Sequence, residues 1–335
     1  MPELLFPIAA LTLTFGVLIP ALTLISRRVL ARRRRTLSWT EFGSNTTYAW
    51  LVAPTLLPLI WLLSSALHQA EPSSSPRICL HDHGASTICA DNAMLLGALL
   101  IGLSAWIVRV IWQAWPRHTL DRLPATDPRI GRIQRLIARE PGLQAMRVVV
   151  VRDAEEPLFT QGFLRPQVVL DRSFMDDADD AMLHAALLHE AAHIRWRDTL
   201  RYLLSRVCLG LNPAGALLRA DRDHWRAARE ALCDSEAVHM GGQPLALAQG
   251  LVRAARFRRD TATLNSAAML CGHHLASLKL RLAILMQGPT RPGRSPGYAV
   301  LALGILAVLV LPHLESFDLL HAFHMGVERL YPPSR

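Results

Sequence analysis

Hydrophobic positions are laid out along this chain in two ways. In four places they run almost unbroken. Leu4–Ile25 carries no charge, Tyr48–Leu67 is interrupted by Pro54 and Pro58, and Met94–Trp115 holds Arg109 near its end. Tyr298–Leu311 is the fourth, and its 14 residues make about 21 Å of helix against a hydrocarbon core of about 30 Å. The pattern predicts membrane spans over 4–25, 48–67 and 94–115. A fourth, over 298–314, forms only if Gly297, Pro312, His313 and Leu314 are recruited.

Elsewhere the hydrophobic residues recur at the spacing of one face. Ala181 to about Arg206 holds no Gly or Pro, with Met182, Leu183, Ala186 and Leu187 in one stripe, so it reads as a single long helix. The acidic run Asp176–Asp180 supplies its N-cap and first turn. Arg147–Val151 and Gln167–Leu170 read as strands, with Arg152–Gln161 connecting them in a hairpin or short mixed sheet. Thr199–Leu218 is too polar to span and reads as an amphipathic element at the membrane surface or against the spans. Helices are expected over 245–258 and 275–286, and 288–297, rich in Pro, Gly and Arg, reads as a linker.

Composition agrees with a membrane protein: 51% of the 335 residues are apolar and mean hydropathy is +0.23. The net charge of +9 changes the picture only by where it sits. Arg27, Arg28 and Arg32 to Arg35 follow the first span, and Arg117, Arg122, Arg129 and Arg132 follow the third. The positive-inside rule then places the N-terminus outside and residues 116–287 in the cytoplasm, with an external loop over 69–92 and a short external tail over 315–335. These arginines lie beside spans, so anionic lipid is the nearer partner and no direct nucleic-acid binding is expected. With the cluster after the first apolar stretch rather than before it, an ordinary secretory signal is not expected. Cys79 and Cys89 share the external loop, where they can form a disulfide; Cys208, Cys233 and Cys271 are expected reduced. His81-Asp82-His83 in that loop reads as a solvated tip.

The chemistry is carried by His189-Glu190-Ala191-Ala192-His193. Residues i and i+4 share one helix face, so the two imidazoles converge on one ion, and Glu190 beside the first of them is placed to act as general base. Two histidines leave a catalytic zinc one protein ligand short. Glu230, in Arg226–Asp234, is the candidate third ligand, 37 residues past His193 on a second helix that can fold back antiparallel. Asp234, four residues on, shares its face and would orient a ligand imidazole from behind. Asp198 falls about 140° round the helix from His193 and is expected to pair with an arginine. His184, His224 and His239 are weaker candidates for stabilising an oxyanion. Cys233 reads as a buried apolar residue.

These residues together resemble a family. HEAAH followed by Arg195–Asp198, then Asn212-Pro213, then Arg229–Asp234, with Gly162–Leu170 upstream, is similar to the BlaR/MecR-type antirepressor membrane metallopeptidases over roughly residues 116–290. The resemblance implies a multi-pass α-helical membrane protein with a mainly α (α+β) cytoplasmic, gluzincin-like zinc metallopeptidase domain. It implies His189, His193 and Glu230 as zinc ligands and Glu190 as base. It also implies a bacterial inner-membrane signalling endopeptidase that cleaves a cytoplasmic repressor of the BlaI/MecI type, and itself in some members. Family members that sense β-lactams carry a large external penicillin-binding domain after the last span; here about 20 residues follow it, with no Ser-x-x-Lys box, and the stimulus stays open.

The strand Gln167, Val168, Val169, as an edge beside the motif helix, is expected to dock an extended substrate. Two other readings stand beside this one: a quality-control protease like the HtpX-type gluzincins, and a non-catalytic transducer with a structural zinc. Membrane lipid and a protein substrate are the expected partners, and a homodimer is left open.

Overall fold

The computed structural model describes residues 5–70, 90–114, 121–154, 156–261, 278–288 and 297–310. The expected Cys79–Cys89 disulfide, His81–His83 and the 315–335 tail lie outside them. The described chain is mostly helical. Three helices are long and apolar enough to cross a membrane, over Ala10–Thr36, Trp39–Ser64 and Gly97–Ala114.

The first helical stretch runs as α1 (Leu5–Leu13), a π-helical turn (Thr14–Leu18) and α2 (Ile19–Thr36). The π turn immediately precedes Pro20, which has no N–H for the carbonyl one turn back. The arginine cluster, expected in a loop, instead continues α2 for nearly three more turns, since Arg is a good helix former and cations suit a helix C-terminus. A short α3 (Trp39–Phe42), closed by a Ser38–Glu41 capping box, leads into α4 (Asn45–Ala70). Pro54 removes the donor that Trp50's carbonyl would have used, and the Ser26 hydroxyl of α2 donates to that carbonyl instead. The proline thus fastens α2 to α4. α5 (Ala90–Ala114) packs on α4, as does α13 (Gly297–Val310).

Between α5 and α13 lies the domain that holds the motif. Its sheet has three strands in the order β1-β3-β2: β1 (Val148–Val151), β2 (Leu158–Gln161) and β3 (Gln167–Asp171). β1 runs parallel to β3 and β2 antiparallel to it, with Thr160 opposite Val168. The short mixed sheet is present; a plain hairpin of the two expected strands is not. β3 is its central strand, and Val168 and Val169 are 0% exposed. Val168 and Val169 therefore cannot dock a substrate strand, because both of their backbone edges are paired, and Gln167 already pairs with Gln161 on the β2 side. The edge beside the motif helix belongs to β2.

α6 (Pro128–Arg139) covers one side of β1, α7 (Arg172–Asp177) follows β3, and α8 (Asp180–Trp196) carries the motif. Asp179 caps α8, accepting from the Met182 N–H at 2.7 Å. Leu183, Leu187, Leu188 and Ala191 of α8 pack with Val168, Leu170, Phe174 and Leu247 in the main core. The long helix expected to run through Arg206 ends at Trp196. Arg197 takes a left-handed conformation (φ 52°), and α9 (Asp198–Leu211) starts in a new direction. α10 (Arg219–His239), α11 (Pro244–Thr261) and α12 (residues 278–287) complete the domain.

α9 packs against the spans, as expected of an amphipathic element. Thr55 donates to the Cys208 carbonyl (3.1 Å), Trp106 to that of Val207 (3.3 Å), and Asn212 donates to Thr23 Oγ1 (2.8 Å). A Cβ on Gly210 would stand 2.2 Å from the Trp106 ring, so only glycine permits this approach.

Candidate metal centre

α8 and α10 pack antiparallel, and this pairing brings the three expected ligands together. His189 Nε2 and His193 Nε2 are 3.2 Å apart. Glu230 Oε2 is 3.6 Å from the first and Oε1 is 3.7 Å from the second. A tetrahedral ion with bonds of about 2.0–2.1 Å has ligand–ligand edges of about 3.4 Å, so one ion fits among these three atoms.

The outer nitrogens of both rings have carboxylate neighbours. His193 Nδ1 donates to Asp198 Oδ2 at 2.9 Å, because a carboxylate can only accept. His189 Nδ1 stands 2.9 Å from Asp234 Oδ1, at hydrogen-bond distance although off the straight line of the N–H. With Nδ1 of each ring turned to a carboxylate, the Nε2 lone pairs are left facing one point. Asp234 is where the sequence put it. Asp198 pairs with arginines as expected, accepting from Arg229 Nη2 (2.8 Å) and Arg201 Nη1 (3.3 Å). It does not lie 140° round the helix from His193, because the break at Arg197 swings it back beneath the ring.

Cys233 Sγ is 3.4 Å from His193 Nδ1 and 3.6 Å from Asp198 Oδ2. His193, Asp198 and Cys233 could by spacing hold a second ion. The fully buried Arg229 guanidinium already occupies the carboxylate there, so the trio is a hydrogen-bonded cluster. Burial pushes the Cys233 thiol up, against the pull of His193 and Arg229.

Arg281 of α12 was not singled out in the sequence. Its Nε and Nη2 donate to Asp234 Oδ2 and Oδ1 at 2.6 and 2.7 Å, and Nη1 lies 3.3 Å from Glu230 Oε2. Burial opposes ionisation of Glu230, but His193, His189 and Arg281 outweigh it and hold the carboxyl well below its usual range. For both histidines burial also opposes charge. Asp234 and Glu230 about His189, and Cys233, Glu230 and Asp198 about His193, leave both imidazoles above the ordinary value, His193 well above.

Glu190 points to the other side of the trio, where Thr160 of β2 donates to its Oε2 at 2.6 Å. A cavity of about 430 Å³ opens here, bounded by β2, α9, α10 and α11, and lined by the trio, Glu190 and Thr160. Phe159, Leu247, Leu251 and Ala254 make one wall apolar. A larger cavity of about 770 Å³ lies against α7, α11 and α12 and touches none of His189, His193 and Glu230. Thr199 of α9 donates to the Gly162 carbonyl (2.8 Å), tying the turn after β2 to the wall that carries Asp198.

The three other histidines are elsewhere. His184 meets Glu140 (3.4 Å) and His224 is stacked against Trp39 and Phe42. His239 closes α10 and, like the other two, does not line the cavity.

No protein-family model, curated protein or solved structure matches this chain.

Proposed function

We propose that this chain is a multi-pass membrane zinc endopeptidase with a gluzincin-like catalytic domain, of the kind its motifs resemble in the BlaR/MecR family, cleaving a cytoplasmic repressor. The observation that carries the reading is the convergence of His189, His193 and Glu230, with Glu190 held beside them by Thr160 at the mouth of a cavity. A purely structural zinc needs no carboxylate placed in this way.

His189 Nε2, His193 Nε2 and Glu230 would hold zinc. Bound there, zinc supplies Lewis acidity toward a carbonyl and toward water. The rest falls to the chain's own groups. Asp198 and Asp234 fix the two imidazoles. The outer edge of β2, unpaired among the described residues, can take an extended peptide by backbone pairing, and the apolar wall selects side chains. Glu190 takes a proton from the attacking water and gives it to the leaving nitrogen, while Thr160 keeps its carboxylate turned toward the cavity.

One contact supports an orientation in the membrane. Arg34, in the basic end of α2, is 3.7 Å from Asp221 at the start of α10, so the domain lies at the arginine-rich ends of the spans. The positive-inside rule supports the cytoplasm as that side, and the resemblance of the motifs supports a bacterial inner membrane.

The test is zinc content per chain in detergent-purified wild type and Glu230→Ala, followed by peptide cleavage with Glu190→Gln. About one zinc in wild type, little in Glu230→Ala, and zinc without cleavage in Glu190→Gln are expected. A wild type that takes up no zinc after reconstitution would remove the enzyme and leave the membrane architecture standing.

A further inference from the structure

We propose that the groove between α6 and the outer edge of β1 is a docking surface for an extended protein segment in which acidic and apolar side chains alternate. The groove is separate from the candidate metal centre, since none of the residues that line it lines the cavity at His189, His193 and Glu230. Its occupant is therefore independent of the peptidase reading.

The backbone sets one requirement. β1 has β3 on one side, and its other edge is closed only in part. Leu123 N–H donates to the Val150 carbonyl and Arg152 N–H to the Asp121 carbonyl, both at 2.9 Å, with Arg122 opposite Val151. The chain then leaves β1 in a turn closed by the Asp127 N–H on the Pro124 carbonyl (2.9 Å). Backbone groups two residues apart on a strand face the same edge, so the N–H and C=O of Val148 point the same way as the Val150 carbonyl. Among the described residues they have no backbone partner. An open edge of this kind takes an extended chain by strand addition.

Side chains set another. Ile130 and Ile137 of α6, Met146 and Val148 pack against the main core yet stay only partly buried, whereas Ile133 and Leu136 of the same helix are buried. The four line a groove of about 480 Å³ beside the open edge. A strand added at Val148 sends every second side chain toward it.

Charge sets the last. Arg122 lines the groove, Arg135 follows the lining residue Gln134 on α6, and Arg147 immediately precedes Val148. All three are exposed, and none has a carboxylate partner among the described residues. Their neighbours Arg129, Arg132 and Arg152 are paired with Asp176, Asp180 and Asp121. Glu140, at the end of α6, faces His184. The uncompensated charge about the groove is thus positive. An anionic lipid would satisfy the arginines but has no backbone to pair with Val148, whereas an acidic, alternating peptide meets all three requirements.

The test uses full-length protein in phosphatidylcholine nanodiscs and a fluorescein-labelled octapeptide that alternates glutamate and valine, read by anisotropy. Saturable binding that weakens with salt is expected. The same peptide methylated on its backbone nitrogens should bind about tenfold more weakly or worse, because its charges and side chains are kept and its edge hydrogen bonds are not. Reversing two exposed charges in Arg122→Glu/Arg135→Glu should also weaken binding about tenfold, with the melting temperature unchanged. Equal affinity for the methylated peptide overturns strand addition, and equal affinity in the double variant overturns the part given to the arginines; either result ends the proposal. Binding by wild type that disappears when phosphatidylglycerol replaces the phosphatidylcholine would give the groove to the membrane and overturn it as well, as would a wild type that does not bind the peptide. None of these measurements involves zinc, so the peptidase reading stands or falls separately.

Discussion

Thr160 on β2 donates a 2.6 Å hydrogen bond to Glu190 on α8, and this single contact joins the sheet edge to the proposed base. It fixes one carboxylate oxygen and leaves the other for water. Thr160→Val should lower kcat about ten- to hundredfold, the range for a hydrogen bond to a charged group, with zinc content unchanged. Thr160→Ser should restore most of it. Steady-state kinetics on the two variants check this, and equal rates for Val and Thr would mean that the contact does not position the base.

Asp198 ties His193 to two arginines, so its loss should be felt at the metal. Asp198→Asn is expected to weaken zinc binding about ten- to a hundredfold, as for other carboxylates that orient a ligand imidazole. Competition with a chelator of known affinity measures it.

Arg281 bridges Asp234 and Glu230 from a buried position, and removing it strands two carboxylates. Arg281→Met should cost the metal-free protein about 3–5 kcal/mol, the usual loss when one partner of a buried pair is deleted. Zinc replaces part of the missing positive charge, so added zinc should raise the melting temperature of this variant more than that of wild type. Melting curves with and without zinc decide the point.

The histidine shifts predict a pH effect of definite sign. His189 and His193 lie above their ordinary value of 6.5 when no metal is bound. Their charged forms therefore add stability that is complete below about 6.5 and is lost as pH rises through the folded-state values. Glu230, Asp234 and Asp198 lie below their ordinary values, and their contribution is lost only as pH falls through the acidic range. Zinc has to displace the imidazolium protons, so its affinity rises over the window in which the metal-free protein weakens. The rise in melting temperature on adding zinc should widen from pH 6.5 to 8.5. An increment that stayed constant would show that the histidines are not the groups zinc displaces.

The parts of the site that could be read in the sequence are those set by helix periodicity. His189 and His193, and Glu230 and Asp234, are pairs four apart, and placing two such pairs on facing helices needs no knowledge of the rest of the chain. Arg281 and Thr160 depend on which distant segment folds over the site, and neither sits in a pattern that marks chemistry.

The break at Arg197 was hidden for a different reason: a non-glycine residue in a left-handed turn leaves no mark in composition. The substrate-strand error came from sheet order. Leu158–Gln161 lies in a stretch with Pro157 and acidic neighbours that reads as a loop, and once it forms β2 it takes the edge that β3 was expected to have. Three candidate membrane-crossing helices overlap the three longer apolar stretches, and α2 continues far past the first of them.

Gly43 closes the short α3 and touches α10 so closely that a Cβ there would come within 2.7 Å of the Ala228 carbonyl. Ala228 is two residues before Glu230. The bend between the first two candidate spans and the helix that carries Glu230 are thus seated on each other like a bearing, with no side chain between them to absorb play. A movement of α3 at this point would bear directly on the α10 backbone two residues from Glu230, and a glycine is what lets the two backbones meet.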